Sequence, residues 1–251
     1  MRASCQQMLR PGVGLGICIV VLCLMVTTGH GQQPISVTGQ VVTTSIAKRT
    51  KAAEKSSIVV WLEPVDPKEE PPLRNVPEEH LSLTQKNKSF DPHFLVVQVG
   101  TVVDFPNRDP FFHNVFSLFD GKRFDLGLYE AGSTRHVRFD RPGVCYIFCN
   151  IHPEMSAIVI VLDTPYYAVA RGSGPFTIAN VPAGRYELRV WDERSLPETL
   201  GQMAREVTIS SEQSSLGTIR IPEAELPLAH KNKYGRDYDK PAPSSPGYLP
   251  Q

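Results

Sequence analysis

The segment Cys149-Asn150-Ile151-His152-Pro153-Glu154-Met155 places three metal-binding side chains, a thiol, an imidazole and a thioether, at three-residue intervals. It follows directly on the apolar run Val144–Phe148, whose composition predicts a β-strand. Pro153 prevents the segment from continuing as a helix. The sequence therefore predicts a strand that ends in a thiol and opens into a loop able to wrap an ion.

A fourth donor, His113, stands at the end of a strand-like run upstream. A thiolate and two neutral imidazoles with a distant thioether are the ligand set of a type 1 copper site, a geometry that suits both Cu(I) and Cu(II). We therefore predict one copper ion held by the thiolate of Cys149, the imidazoles of His113 and His152, and Met155 as the weak axial ligand. Cys-x-x-His alone would also suit an unrelated zinc site.

Two cysteines, Cys145 and Cys149, lie beyond the N-terminal segment that contains the other three. An exported chain normally pairs its cysteines. On one strand these two Cα atoms are about 13 Å apart, because a strand rises about 3.3 Å per residue. A disulfide spans at most about 7 Å. We predict two free cysteines, with Cys149 a metal ligand and Cys145 a small buried core residue.

Residues 1–31 have the order of a secretory signal peptide: Arg2 and Arg10 without nearby acids, the apolar run Val13–Val26, then small residues. The run is shorter than the roughly 20 residues of a membrane-spanning helix, although an uncleaved anchor is the alternative.

The whole chain has 26 basic and 26 acidic residues. Removal of residues 1–31 takes away two basic residues and no acidic ones, which leaves a net charge of about −2. We expect export to the periplasm or cell envelope, no stable membrane insertion after cleavage, and no nucleic-acid partner.

Short β-rich runs separated by Gly, Pro, Asn and Asp dominate the rest of the chain, and no stretch keeps helical periodicity. This pattern predicts an all-β sandwich protein. The candidate strands span residues 35–43, 57–63, 94–99, 101–105, 135–139, 143–149, 157–163, 176–178, 185–191, 204–209 and 217–221.

Two segments read as irregular. Residues 64–75 are rich in proline and charge, which is typical of a loop or linker. From His230 onward the composition is polar with repeated prolines, and we predict a disordered tail over residues 223–251. Its basic residues Lys231, Lys233 and Arg236 favour a solvated segment over a docking site.

Residues 80–163 resemble the cupredoxins, the blue-copper family that includes plastocyanin and amicyanin. The Cys-x-x-His-x-x-Met spacing is similar to the short ligand loop of amicyanins. The residues that carry the resemblance are Phe90-Asp91-Pro92, Val99-Gly100, Val103-Asp104-Phe105-Pro106-Asn107, His113-Asn114-Val115, Pro142-Gly143, Tyr146, Cys149, His152 and Met155. The resemblance implies a Greek-key β-sandwich with the four copper ligands already proposed.

The same resemblance assigns roles around the ligands. It implies that the side chain of Asn114 ties the two ligand loops together, and that His152 lies near an exposed face. Glu154 departs from the family by placing a carboxylate inside the ligand loop, so partner choice is expected to differ. Phe111 and Phe112 allow two interpretations: one of them forms part of an apolar collar on that face, or both are core residues beside the strand.

Residues 166–191 resemble the carboxypeptidase regulatory-like, transthyretin-type β-sandwich, through the pattern Phe176-Thr177-Ile178 followed by Val181-Pro182-Ala183-Gly184-Arg185-Tyr186-Glu187-Leu188. Such a module usually begins with a Gly-x-Val strand and an apolar second strand, here Gly39-Gln40-Val41 and Ile58–Leu62. We predict a discontinuous second module, residues 34–65 plus 164–222, into which the cupredoxin is inserted. The alternative is a single enlarged cupredoxin.

The remaining motifs do not indicate catalysis. His93 is interpreted as structural or solvent-facing, and His80, His136 and His230 have no partner donors at metal spacing. Nucleophile elbows, phosphate loops and paired catalytic carboxylates are not found in the sequence, so we expect no enzyme. The expected function is single-electron transfer between redox partner proteins that bind transiently near His152. A cell-envelope interaction module and a copper storage or delivery protein are the alternatives.

Overall fold

The computed structural model describes residues 33–44, 57–66, 81–118, 121–224 and 231–238. The predicted signal peptide, most of the predicted linker and residues 239–251 of the predicted tail lie outside these ranges. None of the helices formed by the described residues combines the length and apolar character needed to cross a bilayer.

The described residues form β-strands and one short helix. The elements are β1 (Ile35–Thr44), β2 (Ser57–Pro64), β3 (Leu81–Ser82), β4 (Thr84–Lys86), β5 (Ser89–Asp91), β6 (Phe94–Gln98), β7 (Val102–Pro106), β8 (His113–Ser117), β9 (Phe124–Tyr129), β10 (Thr134–Arg138), β11 (Gly143–Cys149), β12 (Ser156–Leu162), β13 (Tyr167–Arg171), β14 (Gly174–Val181), β15 (Gly184–Asp192), α1 (Pro197–Gln202), β16 (Arg205–Ile209) and β17 (Ser215–Pro222). The predicted all-β class is confirmed.

The first sandwich carries the predicted ligands. One sheet has the strand order β6-β12-β11-β8-β9 and the other the order β10-β7-β3, with β4 and β5 as a separate hairpin. Successive side chains of a strand point to opposite faces of its sheet. The core of this first sandwich is therefore formed by every second side chain of each long strand. On β11, Cys145, Ile147 and Cys149 all point into this core and are fully buried.

The second sandwich is built from both ends of the sequence. One sheet has the order β14-β1-β17 and the other β13-β2-β15-β16. Trp61 on β2 lies opposite Tyr167 and Arg189, so its strand is flanked by β13 and β15. The division into a cupredoxin and a regulatory-like module, with those boundaries, stays a prediction.

Strand β12 belongs to two cores at once. Ala157, Val159 and Val161 face the core of the first sandwich, and Ile158 and Ile160 face the core of the second. This explains why the last six residues of β12 are all buried and read as a continuous apolar run. The strand that follows the predicted metal loop is therefore buried on both faces, which fixes where the loop ends.

The two sandwiches also meet through polar and aromatic contacts beside β6. The ring of Phe94 stacks on Trp191 with centroids 5.5 Å apart. His93 contacts the Ser156 carbonyl oxygen through Nδ1 and the Glu193 carboxylate through Nε2, both at 2.9 Å. His93 thus has a structural role, as a bridge between the first residue of β12 and the second sandwich.

The tail differs from its prediction. Residues 231–238 fall in the segment predicted to be disordered, yet they form a hydrogen-bonded turn against the first sandwich. The Lys233 ammonium donates to Asp125 at 2.7 Å, and the Tyr238 hydroxyl donates to the Cys149 carbonyl at 2.7 Å. The interpretation of Lys233 as a solvated residue was wrong because its ammonium group is bound to Asp125. Asp125 is distant in sequence, so the composition of the tail does not indicate this contact.

The His93–Glu193 pair predicts a pH-dependent stability. The hydrogen bond that His93 donates to the Glu193 carboxylate raises the pKa of His93 above its ordinary value, although burial opposes this. A raised folded-state pKa stabilises the fold below the unfolded pKa of about 6.5, and this contribution disappears as the pH rises through the folded-state value. The Glu193→Gln variant should lose up to about 1 kcal/mol at acidic pH, because the pair is half-exposed.

Urea denaturation of the metal-free protein at about pH 5.5 and about pH 9 measures this difference. The exposed Glu212→Gln variant is the matched control. An equal loss for Glu193→Gln at both pH values would contradict the charged bridge.

Candidate metal centre

His113 and Cys149 meet because their strands are neighbours. Strands β8 and β11 pair antiparallel, with Val115 opposite Cys149 and Phe116 opposite Phe148. The first residue of β8 and the last residue of β11 therefore lie at the same end of the sheet. Both side chains are fully buried there.

The loop after Cys149 folds back to bring His152 to the same point. The Cys149 amide donates to the Met155 carbonyl at 3.2 Å, and the Met155 amide donates to the His152 carbonyl at 3.1 Å. These two bonds close the loop before β12 begins. His152 remains partly exposed, whereas His113 is not exposed at all.

The three donor atoms form a small triangle. Cys149 Sγ lies 3.7 Å from His113 Nδ1 and 3.6 Å from His152 Nδ1, and the two Nδ1 atoms are 3.2 Å apart. Imidazole nitrogen binds a first-row ion such as zinc at about 2.0–2.1 Å and thiolate sulfur at about 2.3 Å, so donors spread around one ion lie about 3.2–3.8 Å apart. His113, Cys149 and His152 can therefore hold a single metal ion.

Burial acts in opposite directions on the pKa of the Cys149 thiol and on that of the His152 imidazole. Burial raises the pKa of the Cys149 thiol, and the backbone amides of Asn114, Ile151 and His152 only partly oppose this increase. Burial and the neighbouring His113 lower the pKa of His152. Three electron-pair donors thus face one another in a buried space, an arrangement that a cation stabilises.

Asp109 fixes the orientation of His113. Its carboxylate oxygen Oδ2 lies 2.8 Å from His113 Nε2 and also accepts the Lys88 amide at 2.9 Å, while Oδ1 accepts the Asn87 amide at 2.6 Å. Burial alone would raise the pKa of Asp109, but these hydrogen bonds together hold it below its ordinary value. The ionised carboxylate accepts from Nε2, which leaves Nδ1 of His113 free of a proton and turned to the triangle.

Sequence reasoning missed Asp109. The available signal was a carboxylate four residues before a candidate histidine ligand, a pairing that metal-binding histidines commonly make. Its significance depends on the turn that carries Asn87 and Lys88 over the carboxylate, and no local pattern indicated that contact.

The role expected of Asn114 requires a correction. Its side-chain amide donates to Asp125 on β9 at 2.6 Å rather than to the ligand loop. The connection to the other ligand instead runs through the main chain of β8, where Val115, the residue after Asn114, is paired with Cys149. Strand pairing, and not the Asn114 side chain, therefore joins the two ligand elements.

The other side chains near the triangle occupy distinct positions. Met155 is fully buried in the first core, and its role as axial ligand stays a prediction. The Phe111 ring packs 5.2 Å from the His113 ring and 5.6 Å from the His152 ring, whereas Phe112 is 55% exposed. Glu154 is exposed. Phe111 is therefore the aromatic residue that covers the two imidazoles.

The other histidines do not extend the site. His136 contacts the Asp104 carboxylate at 2.6 Å, away from the triangle. His80 and His230 lie outside the described residues.

Comparisons with known proteins returned similarities to solved structures alone. No protein-family model and no curated protein matches the chain. A purple cupredoxin from Nitrosopumilus maritimus is 24% identical, covering 33% of this chain and 99% of its own, with a TM-score of 0.30. Two amicyanin mutants, one reduced and one in the Cu(I) form, are 21% identical over 35% of this chain and 87% of theirs, with TM-scores of 0.32. We base the metal centre on the side-chain geometry described above.

Asp109→Ala should destabilise the metal-free protein by about 1–3 kcal/mol, because the buried Nε2 of His113 and two backbone amides lose their acceptor. Asp109→Asn keeps an acceptor oxygen of the same shape and should cost less. Urea denaturation of both variants measures the difference. Equal stability of Asp109→Ala and the wild-type protein would show that this carboxylate does not hold His113.

Proposed function

We propose that this chain is an exported, mononuclear type 1 copper protein that transfers single electrons between redox partners of the periplasm or cell envelope. The observation that supports the proposal most strongly is the triangle of one buried thiol, the buried His113 Nδ1 and the partly exposed His152 Nδ1, with edges of 3.2–3.7 Å. His113, Cys149 and His152 would hold the ion, with Met155 as a weak fourth ligand.

The donor set favours copper over zinc. A structural zinc site takes four strong nitrogen, sulfur or oxygen donors, and thioether sulfur is not among its usual ligands. Two imidazoles, one thiolate and a weak thioether suit copper, which exchanges one electron between Cu(I) and Cu(II). Among the described residues, this triangle is the one cluster of His, Cys, Asp and Glu that could hold a metal ion.

The chain itself contributes rigidity to the proposed electron transfer. His113 is fixed by Asp109, Cys149 by the pairing of β11 with β8, and His152 by the hydrogen bonds that close its loop. Ligands whose positions are the same around Cu(I) and Cu(II) keep the reorganisation energy of electron transfer small. An electron carrier needs this property. We assign no catalytic step to the chain.

The partner surface is proposed around His152, the partly exposed member of the triangle. Phe112 and Ile151, which precede His113 and His152 in sequence, are 55% and 42% exposed. Electron-transfer partners form small, weak interfaces, so a few exposed side chains beside one ligand would suffice. Glu154, exposed in the same loop, would contribute to the choice of partner.

The colour of the copper-loaded protein tests the proposal. The wild-type protein with one equivalent of Cu(II) should absorb intensely in the visible region, because thiolate-to-copper charge transfer requires Cys149. Cys149→Ser should abolish that band, and Cys145→Ala should keep it because Cys145 lies in the core away from the triangle. A colourless wild-type protein would refute the type 1 assignment.

Voltammetry separates electron transfer from copper storage or delivery. An electron carrier should give a reversible one-electron wave and retain its copper through repeated cycles. Loss of copper to an acceptor chelator upon reduction, without a reversible wave, would favour delivery.

A further inference from the structure

A C-terminal strap, residues 231–238, contacts the proposed metal loop. The Lys233 amide donates to the Asn150 side-chain oxygen at 3.0 Å, and the Tyr238 hydroxyl donates to the Cys149 carbonyl at 2.7 Å. The Lys233 ammonium donates to Asp125 Oδ2 at 2.7 Å. These contacts reach the first two residues of the ligand loop and Asp125 on β9, the strand paired with β8.

The strap has internal structure that sets the spacing of its contacts. The Asn232 side-chain oxygen accepts the amides of Tyr234 and Arg236, both at 3.0 Å, and the Asn232 amide donates to the Arg236 carbonyl at 2.9 Å. Gly235 has a φ of +74°, a conformation that glycine adopts without strain. The result is a compact turn that places Lys233 and Tyr238 against the loop together.

The strap is connected to both elements that carry the buried ligands. Tyr238 holds the carbonyl of Cys149, the residue whose sulfur completes the triangle. Lys233 holds Asp125, whose other oxygen accepts the Asn114 side chain at 2.6 Å. Asn114 lies on β8 next to Val115, the residue paired with Cys149. Both the ligand loop and β8 are thus connected to one turn.

We propose that Tyr238 and Lys233 are positioning residues that keep the metal loop in its ligand-binding conformation and slow its opening. This inference rests on the proposed function of the triangle for its effect on copper, but its effect on the loop does not require metal. The bonds that close the loop internally, from Cys149 to Met155 and from Met155 to His152, are 3.2 and 3.1 Å long. The strap adds shorter contacts from outside the loop.

The test uses the full-length, metal-free protein and the variants Tyr238→Phe, Lys233→Met and their combination. Tyr238→Phe removes one hydroxyl and keeps the ring, and Lys233→Met removes one ammonium group and keeps the chain length. Tyr167→Phe, on β13 of the second sandwich, is the matched control. The rate at which N-ethylmaleimide alkylates Cys149, located by mass spectrometry, reports opening of the loop, and Cys145 in the core serves as internal reference.

Each single variant should speed the alkylation of Cys149 about fivefold and the double variant about 30-fold, with Cys145 and the Tyr167→Phe control unchanged. Amide hydrogen exchange in residues 149–155 should accelerate by similar factors. In the copper-loaded protein, the double variant should release copper to a chelator faster by about the same factor.

Two results overturn different statements. Unchanged alkylation, hydrogen exchange and copper release in the folded double variant would refute the strap. If the variants are alkylated faster but the wild-type protein binds no copper, the positioning role of the strap is supported and the proposed function is refuted. Circular dichroism of each variant confirms that the fold is retained.

Discussion

The antiparallel pairing of β8 with β11 is the constraint on which the site depends. Because Val115 lies opposite Cys149, the first residue of β8 and the last residue of β11 share one end of the sheet, and His113 comes within 3.7 Å of the thiol. A shift of one residue in this register would turn Cys149 to the opposite face of the sheet. The position of the thiol is thus a property of the sheet, and the loop needs to supply only His152 and Met155.

The second sandwich stabilises that sheet from its outer face. Strand β12 follows the ligand loop directly, and its side chains alternate between the two cores. Apolar burial on both faces makes movement of this strand costly. Together with the His93 bridge and the Phe94–Trp191 stack, it gives the end of the ligand loop a fixed anchor. A small sandwich alone would leave that face of the sheet in water.

The sequence predicted the features that have local signals. Alternating apolar runs located β1, β2, β11 and β15 within about one residue, and donor spacing selected the three side chains that the fold brings together. Strand β8 was missed because its five buried residues include His113, Asn114 and Ser117, so it lacks an apolar pattern. Asp109 and the strap were missed because their partners are set by tertiary contacts, which neither composition nor periodicity encodes.

X-ray absorption at the copper edge of the loaded wild-type protein tests the central claim most directly, since it counts the donor atoms around the ion. We predict one sulfur and two nitrogen atoms in the nearest shell, in agreement with the triangle of Cys149, His113 and His152. A shell made of nitrogen and oxygen alone, or one containing two short copper–sulfur bonds, would contradict the account.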